Sequence, residues 1–258
     1  MNHVLNVKYR DSQYFKRILQ AVEYFSDEAT FQVSPEGLSL QMMDPGKVML
    51  IDLNLPKAGA EDYFASGPFR FAFNVAEFVK RVLKNTVKDE SVTLNVADES
   101  FEDKTKSEFE IELKSKFTRN FKVPLLEYST EEIPMPKINW TWEAILVTED
   151  VVTVFKDAVE DEAVKVIATA ENVRFEQTGD YIGWFCELKK GSDTVLNIEN
   201  QSESPVKATY GTMIHKLWNI LKPLSDVTRL SLATDMPLKL KLELAIPGTV
   251  TVFLAPRI

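Results

Sequence analysis

Apolar residues recur along this chain with two distinct periods. Four stretches follow the 3.6-residue period of a helix that rests one face on a core. In 11–25, "DSQYFKRILQAVEYF", the stripe is Phe15, Ile18, Leu19 and Val22. In 75–84, "VAEFVKRVLK", it is Val75, Phe78, Val79 and Val82. In 149–163, "EDVVTVFKDAVEDEA", it is Val151, Val154, Phe155 and Ala158. In 210–222, "YGTMIHKLWNILK", it is Ile214, Leu217, Trp218 and Leu221, with Pro223 as the stop. Nearly everything between reads as strand: "SVTLNVAD", "EFEIELKSKF", "EAVKVIATAENVRFEQ", "RLSLATDMPLKLKLEL" and "TVTVFLAP" alternate or carry β-rich runs.

The order of these elements repeats. Helix, strands, helix, strands occurs once before about residue 117 and again after about residue 140, with corresponding helices roughly 137 residues apart. The pattern predicts an α+β fold of two tandem, similar domains, each an antiparallel sheet with two helices on one face. The expected divisions are an N-terminal domain over 1–117, a connecting loop over 118–136 and a C-terminal domain over 137–258. The loop is proline-rich yet contains Leu125, Leu126 and Ile133, which suits a segment lying along a surface.

The 258 residues hold ample material for a core, and 45% of them are hydrophobic. The beginning "MNHVLNVKYR" lacks an apolar signal region, and no window approaches a membrane-spanning run. The expectation is a soluble protein that is not exported. Cys186 is the single cysteine, so an internal disulfide is excluded.

Catalytic signatures are missing. The two histidines lie far apart, zinc spacing is absent, and neither a phosphate-binding glycine loop nor a nucleophile elbow occurs. The cluster Asp157, Glu160, Asp161 and Glu162 could hold a divalent cation in a carboxylate-dependent nuclease. The plainer reading is a solvated charged face.

Net charge is −9, which argues against a protein coated in phosphate contacts. Its distribution qualifies that. Opposite the apolar stripes lie Lys16 and Arg17 on the first helix, and Lys80, Arg81 and Lys84 on the second. The third has Lys156, and the fourth His215, Lys216 and Lys222. Either these are ordinary solvated faces, or the helices line one surface that meets phosphate.

Several segments carry a resemblance. "GLSLQMMDPGKVMLIDLNLP", "TRNFKVPLLE", "FKDAVEDEA", "YGTMIHKLWNILK" and "LSLATDMPLKLKLEL" followed by "TVTVFLAPRI" resemble, in order and spacing, sliding clamps of the proliferating cell nuclear antigen (PCNA) family, most closely its archaeal members. The resemblance implies the DNA clamp fold: three subunits in a ring, sheets outside, two helices per domain lining a pore around duplex DNA. It implies no catalysis, no cofactor, no metal and no membrane. Its implied partners are polymerase, ligase and flap nuclease, a clamp-loading ATPase and other clamp subunits. The implied setting is the cytoplasm of an archaeon, or the nucleus if the source is eukaryotic. One alternative is a specialised subunit of a heterotrimeric clamp.

Residue by residue, the resemblance assigns three surfaces. DNA-facing positions are Lys16, Arg17, Lys80, Arg81, Lys84, Lys156, His215 and Lys222, with Glu23 and Glu160 where relatives carry basic groups. The pocket for a partner peptide (a glutamine, an aliphatic residue and two aromatics) is Met43, Lys47, Leu50, Leu126, Ile133, Pro237, Phe253, Ala255 and Pro256. Subunits join edge strand to edge strand through 107–117 and 172–180. That joint includes Phe109, Ile111, Val173 and Phe175, with Lys80, Arg81 and Lys84 facing Asp150, Asp157 and Asp161. Of the two neighbouring methionines, Met42 should point into the sheet core and Met43 toward the groove.

Overall fold

The computed structural model describes residues 3–97, 108–128, 133–159, 162–179 and 182–257. The chain divides into two compact units. One comprises Met1–Lys47, Ile51–Ile133 and Leu244–Thr249; the other Val48–Leu50, Pro134–Glu243 and Val250–Ile258. The first runs β1 (His3–Tyr9), α1 (Ser12–Glu23), β2 (Glu28–Ser34), β3 (Gly37–Met43), β4 (Met49–Pro56), β5 (Asp62–Ala65), β6 (Phe69–Asn74), α2 (Val75–Glu77), β7 (Ser91–Ala97), β8 (Glu108–Lys114) and β9 (Thr118–Pro124). The second repeats that order: β10 (Trp142–Val147), α3 (Thr148–Val154), β11 (Val164–Ala168), β12 (Asn172–Thr178), β13 (Gly183–Lys189), β14 (Val195–Asn200), β15 (Val206–Tyr210), α4 (Met213–Leu221), β16 (Val227–Leu232), β17 (Leu238–Glu243) and β18 (Thr249–Leu254).

Strand order repeats as well. In the first unit, β5-β1-β7-β8-β9 corresponds to β14-β10-β16-β17-β18 in the second, and β4-β3-β2-β6 to β13-β12-β11-β15. The duplication anticipated from the sequence is therefore a duplication of topology. Even the segments after the last strands correspond. The Leu126 N–H donates to the Ala72 carbonyl on β6, and Tyr210 on β15 is bridged by Pro256. No helix among the described residues is long and apolar enough to cross a membrane.

Helix α1 begins where Asp11 caps it: one carboxylate oxygen accepts from the Gln13 and Tyr14 amides at 2.9 and 3.0 Å. Phe15, Ile18, Leu19 and Val22 are buried, as the period requires. Asn74 caps α2 through the Glu77 amide at 2.7 Å. The helix then widens into a π-turn over Phe78–Val82, closed by the Leu83 N–H on the Phe78 carbonyl at 3.1 Å.

Two boundaries differ from the sequence expectation. The stretch 149–163 is not one helix. It tightens to a 3-10 turn at Phe155–Asp157 and turns extended at Ala158. The buried Gln177 side chain then claims the backbone: it accepts from the Val159 N–H and donates to the Val159 and Glu162 carbonyls. The connecting loop does not start at residue 118 either. Thr118–Pro124 is β9, paired along its length with β8.

A buried carboxylate holds that last strand. Glu90, 1% exposed, takes Arg119 of β9 at 2.7 Å, the Ser12 hydroxyl at 3.0 Å and the Val87 amide at 3.4 Å. It ties β9, the start of α1 and the turn before β7 to one point. Removing it strands a partly buried guanidinium. Glu90→Ala should therefore cost about 3 kcal/mol, read as a lowered urea midpoint; an unchanged midpoint would rule this clamp out as a stabilising feature.

Candidate functional site

The helices turn cations away from their sheets. In the first unit Arg17, Lys80, Arg81 and Lys84 are exposed and Lys16 is half-buried. Lys16 Nζ donates to the Lys84 carbonyl at 3.3 Å, which joins the outer faces of α1 and the α2 turn. Arg81 is ion-paired with Glu77 one turn earlier. Glu23 also lies here; burial, and secondarily the charge of Asp27, push its carboxyl above the usual carboxylate range.

In the second unit Lys156 is exposed, and half-buried Lys222 pairs with Glu149 at 2.7 Å. His215 is a correction: it is 6% exposed, with its ring 6.2 Å from Phe155, and cannot present to a ligand outside the helix layer. Helix α4 buries a wide face, with Ile214, His215, Leu217, Trp218 and Leu221 all inside. Lys216 is the exposed cation there. Glu160 and Asp161 lie outside the described residues. Among the described residues no group of three or more potential ligands gathers for a metal.

The assignment of edge strands also changes. Strand β8 lies between β7 and β9, and β12 between β11 and β13. Phe109, Ile111, Val173 and Phe175 are consequently core residues, at most 1% exposed. Phe109 packs within 5.1–5.6 Å of the Phe73 and Phe71 rings. The strands that end these sheets are β9 and β13. Beside β9 a groove of about 540 Å³ is lined by Phe78, Val82, Phe121, Val123 and Leu126, with Arg81 and Lys122 at its rim. Leu126 thus belongs to this groove, pinned to β6 by its backbone, rather than to the lid of a peptide pocket. At β13, Phe185 is 61% exposed beneath the Arg174 guanidinium at 4.1 Å, and Ile182 just before it is 76% exposed. Cys186 lies on this strand, half-buried, and burial pushes its thiol up. Asp157 is exposed, whereas Asp150 accepts from the Thr194 hydroxyl at 2.8 Å.

The remaining peptide-pocket residues divide between the units. In the first, Met42 is buried and Met43 half-buried, on opposite faces of β3. The turn after them closes with the Gly46 amide on the Asp44 carboxylate and the Lys47 amide on the Asp44 carbonyl. Lys47 adopts φ 54°, a left-handed conformation that costs a non-glycine residue about 1 kcal/mol. Ile133 is half-buried. In the second unit Pro237, Ala255 and Pro256 are half-buried, and Leu50 and Phe253 are buried. Tyr210 holds the turn before Pro237 by donating to the Met236 carbonyl at 2.9 Å; burial pushes its phenol up. Trp140, which sequence reasoning missed, lies 6.4 Å from Phe253, with the Lys239 ammonium 5.0 Å from the centre of its ring. Glu143 anchors that lysine at 3.4 Å. Burial alone would raise the Glu143 carboxyl, but the Ser231 hydroxyl and the Lys239 and Arg229 cations outweigh burial and hold it below its usual range. An aromatic flanked by prolines and isoleucines was the available signal.

Known proteins show the same arrangement. The family model described as the proliferating cell nuclear antigen N-terminal domain matches residues 4–132, half of the chain. The DNA polymerase sliding clamps of Thermofilum pendens and Pyrococcus abyssi are each 28% identical to it, over 96% and 98% of both chains respectively. The crystal structure of PCNA from Thermococcus kodakaraensis, 28% identical, superposes with a TM-score of 0.89, covering 98% of this chain and 100% of that one. The Entamoeba histolytica structure, at 20% identity and a TM-score of 0.88, shares the fold. With the repeated topology and the match over its first half, the chain belongs to the proliferating cell nuclear antigen family.

Proposed function

We propose that three copies of this chain close into a ring around duplex DNA, with helices inward and sheets outward. The chain is a DNA sliding clamp. The observation that carries the DNA reading is the sorting of charge: a molecule of net charge −9 keeps Lys16, Arg17, Lys80, Arg81, Lys84 and Lys156 on the outer sides of its helices. Non-specific phosphate contacts position a protein without reading sequence. A ring that holds DNA by topology needs only a few of them. The acidic remainder discourages binding elsewhere. The protein performs no chemistry of its own. It tethers polymerase, ligase and flap nuclease, acts at the cytoplasmic nucleoid and is opened by a clamp-loading ATPase.

We assign the subunit joint to β9 of one copy and β13 of the next. Strand addition satisfies both edges. The groove beside Phe121 is apolar, and the β13 end of the same chain presents Ile182, Trp184 and Phe185. Both halves of the joint therefore exist on one sequence, which favours a homotrimer over one arm of a mixed ring. Lys80, Arg81 and Lys84 would face Asp150, Asp157 and Asp161 and set register more than strength. The wild-type chain should have the mass of a trimer in solution, and Phe121→Asp should reduce it to a monomer. A wild-type monomer or dimer would favour the mixed ring, and a trimer that survives Phe121→Asp would move the joint elsewhere.

Partner peptides carrying a glutamine, an aliphatic residue and two aromatics are assigned to Met43, Lys47, Leu50, Ile133, Pro237, Phe253, Ala255 and Pro256, with Trp140 added. A methionine beside aromatics adapts to many partners, and a few buried anchors dominate such binding. Met43→Ala and Trp140→Ala should each weaken a fluorescent motif peptide about five- to thirty-fold, on the order of 1–2 kcal/mol, without changing the mass of the assembly. Unaltered titration curves for both variants would remove the site from these residues.

A further inference from the structure

We propose that the tip of the β8–β9 hairpin is a second nucleic-acid contact, one that takes an unpaired base from a single-stranded segment on the Phe117 ring. The proposal rests on the clamp reading above and extends it to DNA that is not duplex.

Phe117 is 60% exposed, too much for a core side chain, and it stands among cations. Lys114 and Lys116 flank it, and both are exposed. The Arg119 guanidinium lies 5.9 Å from the ring centre. Arg119 also donates to the Asn85 carbonyl at 3.1 Å, so the tip is fastened to the 84–90 turn, where Lys84, Lys88 and Val87 are exposed. The Ser91 hydroxyl, donating to the Lys114 carbonyl at 3.5 Å, makes a second tie. Of the acids beside this cluster, Glu90 is neutralised by Arg119; Asp89 is exposed and Glu112 half-buried. Four lysines against two uncompensated carboxylates leave a positive surface.

This surface is continuous with the helix faces, since Lys16 binds the Lys84 carbonyl. Chemistry selects the ligand. An acidic peptide would use the lysines but has no general need of an exposed, cation-flanked ring. A single strand uses both: phosphates meet the lysines, and an unstacked base lies on the aromatic face, which accepts any base. Duplex DNA keeps its bases stacked inside and gains nothing from Phe117. The hairpin therefore favours DNA with a single-stranded tail.

The test compares the assembled protein on a blunt duplex and on the same duplex carrying a short oligothymidine tail, by fluorescence anisotropy at low salt. The wild type should bind the tailed DNA at least about five-fold more tightly, the gain from one stacked base. Phe117→Ala should abolish that preference and leave blunt-duplex affinity unchanged; the ring is exposed, so folding is not at stake. Lys114→Gln with Lys116→Gln should flatten the salt dependence for tailed DNA by about one unit. Equal wild-type affinity for the two DNAs, or an equal loss on both with Phe117→Ala, overturns the proposal. A Lys16→Glu, Lys84→Glu variant isolates the underlying reading. If blunt-duplex binding survives it, the helix assignment falls, and the tail preference is still decided by Phe117→Ala alone.

Discussion

A β-strand at the end of a sheet leaves half its backbone donors and acceptors to solvent, and two such strands govern how this molecule can be used. Strands β9 and β13 end corresponding sides of the two topological repeats only in part: β9 ends a five-stranded sheet and β13 a four-stranded one. Each edge is unlike the other, and each is apolar on one side. An edge like this either aggregates or finds a defined partner. The Glu90–Arg119 pair keeps β9 in place while its outer edge stays open. The same arginine reaches the 84–90 turn, so the strand that closes the assembly and the basic hairpin tip share one anchor.

The second constraint is the phase of the helices. Burying Phe15, Ile18, Leu19 and Val22 forces Arg17 outward, because positions two and three turns along a stripe leave little choice for those between them. The wider face of α4 shows the limit. Trp218 needs room, the buried sector broadens to include His215, and the outward charge moves to Lys216. Charge on the helices is thus a by-product of core packing as much as of sequence, and the two units differ in how much of it they expose.

The partner residues follow a third logic. Phe253 is not an open wall but is covered by Trp140, whose other face neighbours the Lys239 ammonium held by Glu143. A ring set between an apolar neighbour and a pinned cation is held in place yet stays partly exposed. Met43, by contrast, is placed by simple alternation on β3 beside a turn strained at Lys47.

By itself the sequence determined the two periods, hence the α+β class, the duplication, the buried stripes and the alternation of Met42 and Met43; all are local rules that neighbours within a few residues enforce. The tail and turn motifs made the family legible as well. It could not say which strand ends a sheet, because "EFEIELK" and "TRNFKVP" alternate equally well and only pairing makes β8 interior and β9 the edge. Nor could it foresee that Gln177, eighteen residues on, would end the third helix early by binding the Val159 backbone. The burial of His215 and the company of Trp140 likewise depend on side chains distant in the chain. Periodicity is a property of one segment, and tertiary structure alone decided where segments meet, because hydrogen-bond partners and close packing are supplied by residues that no local pattern contains.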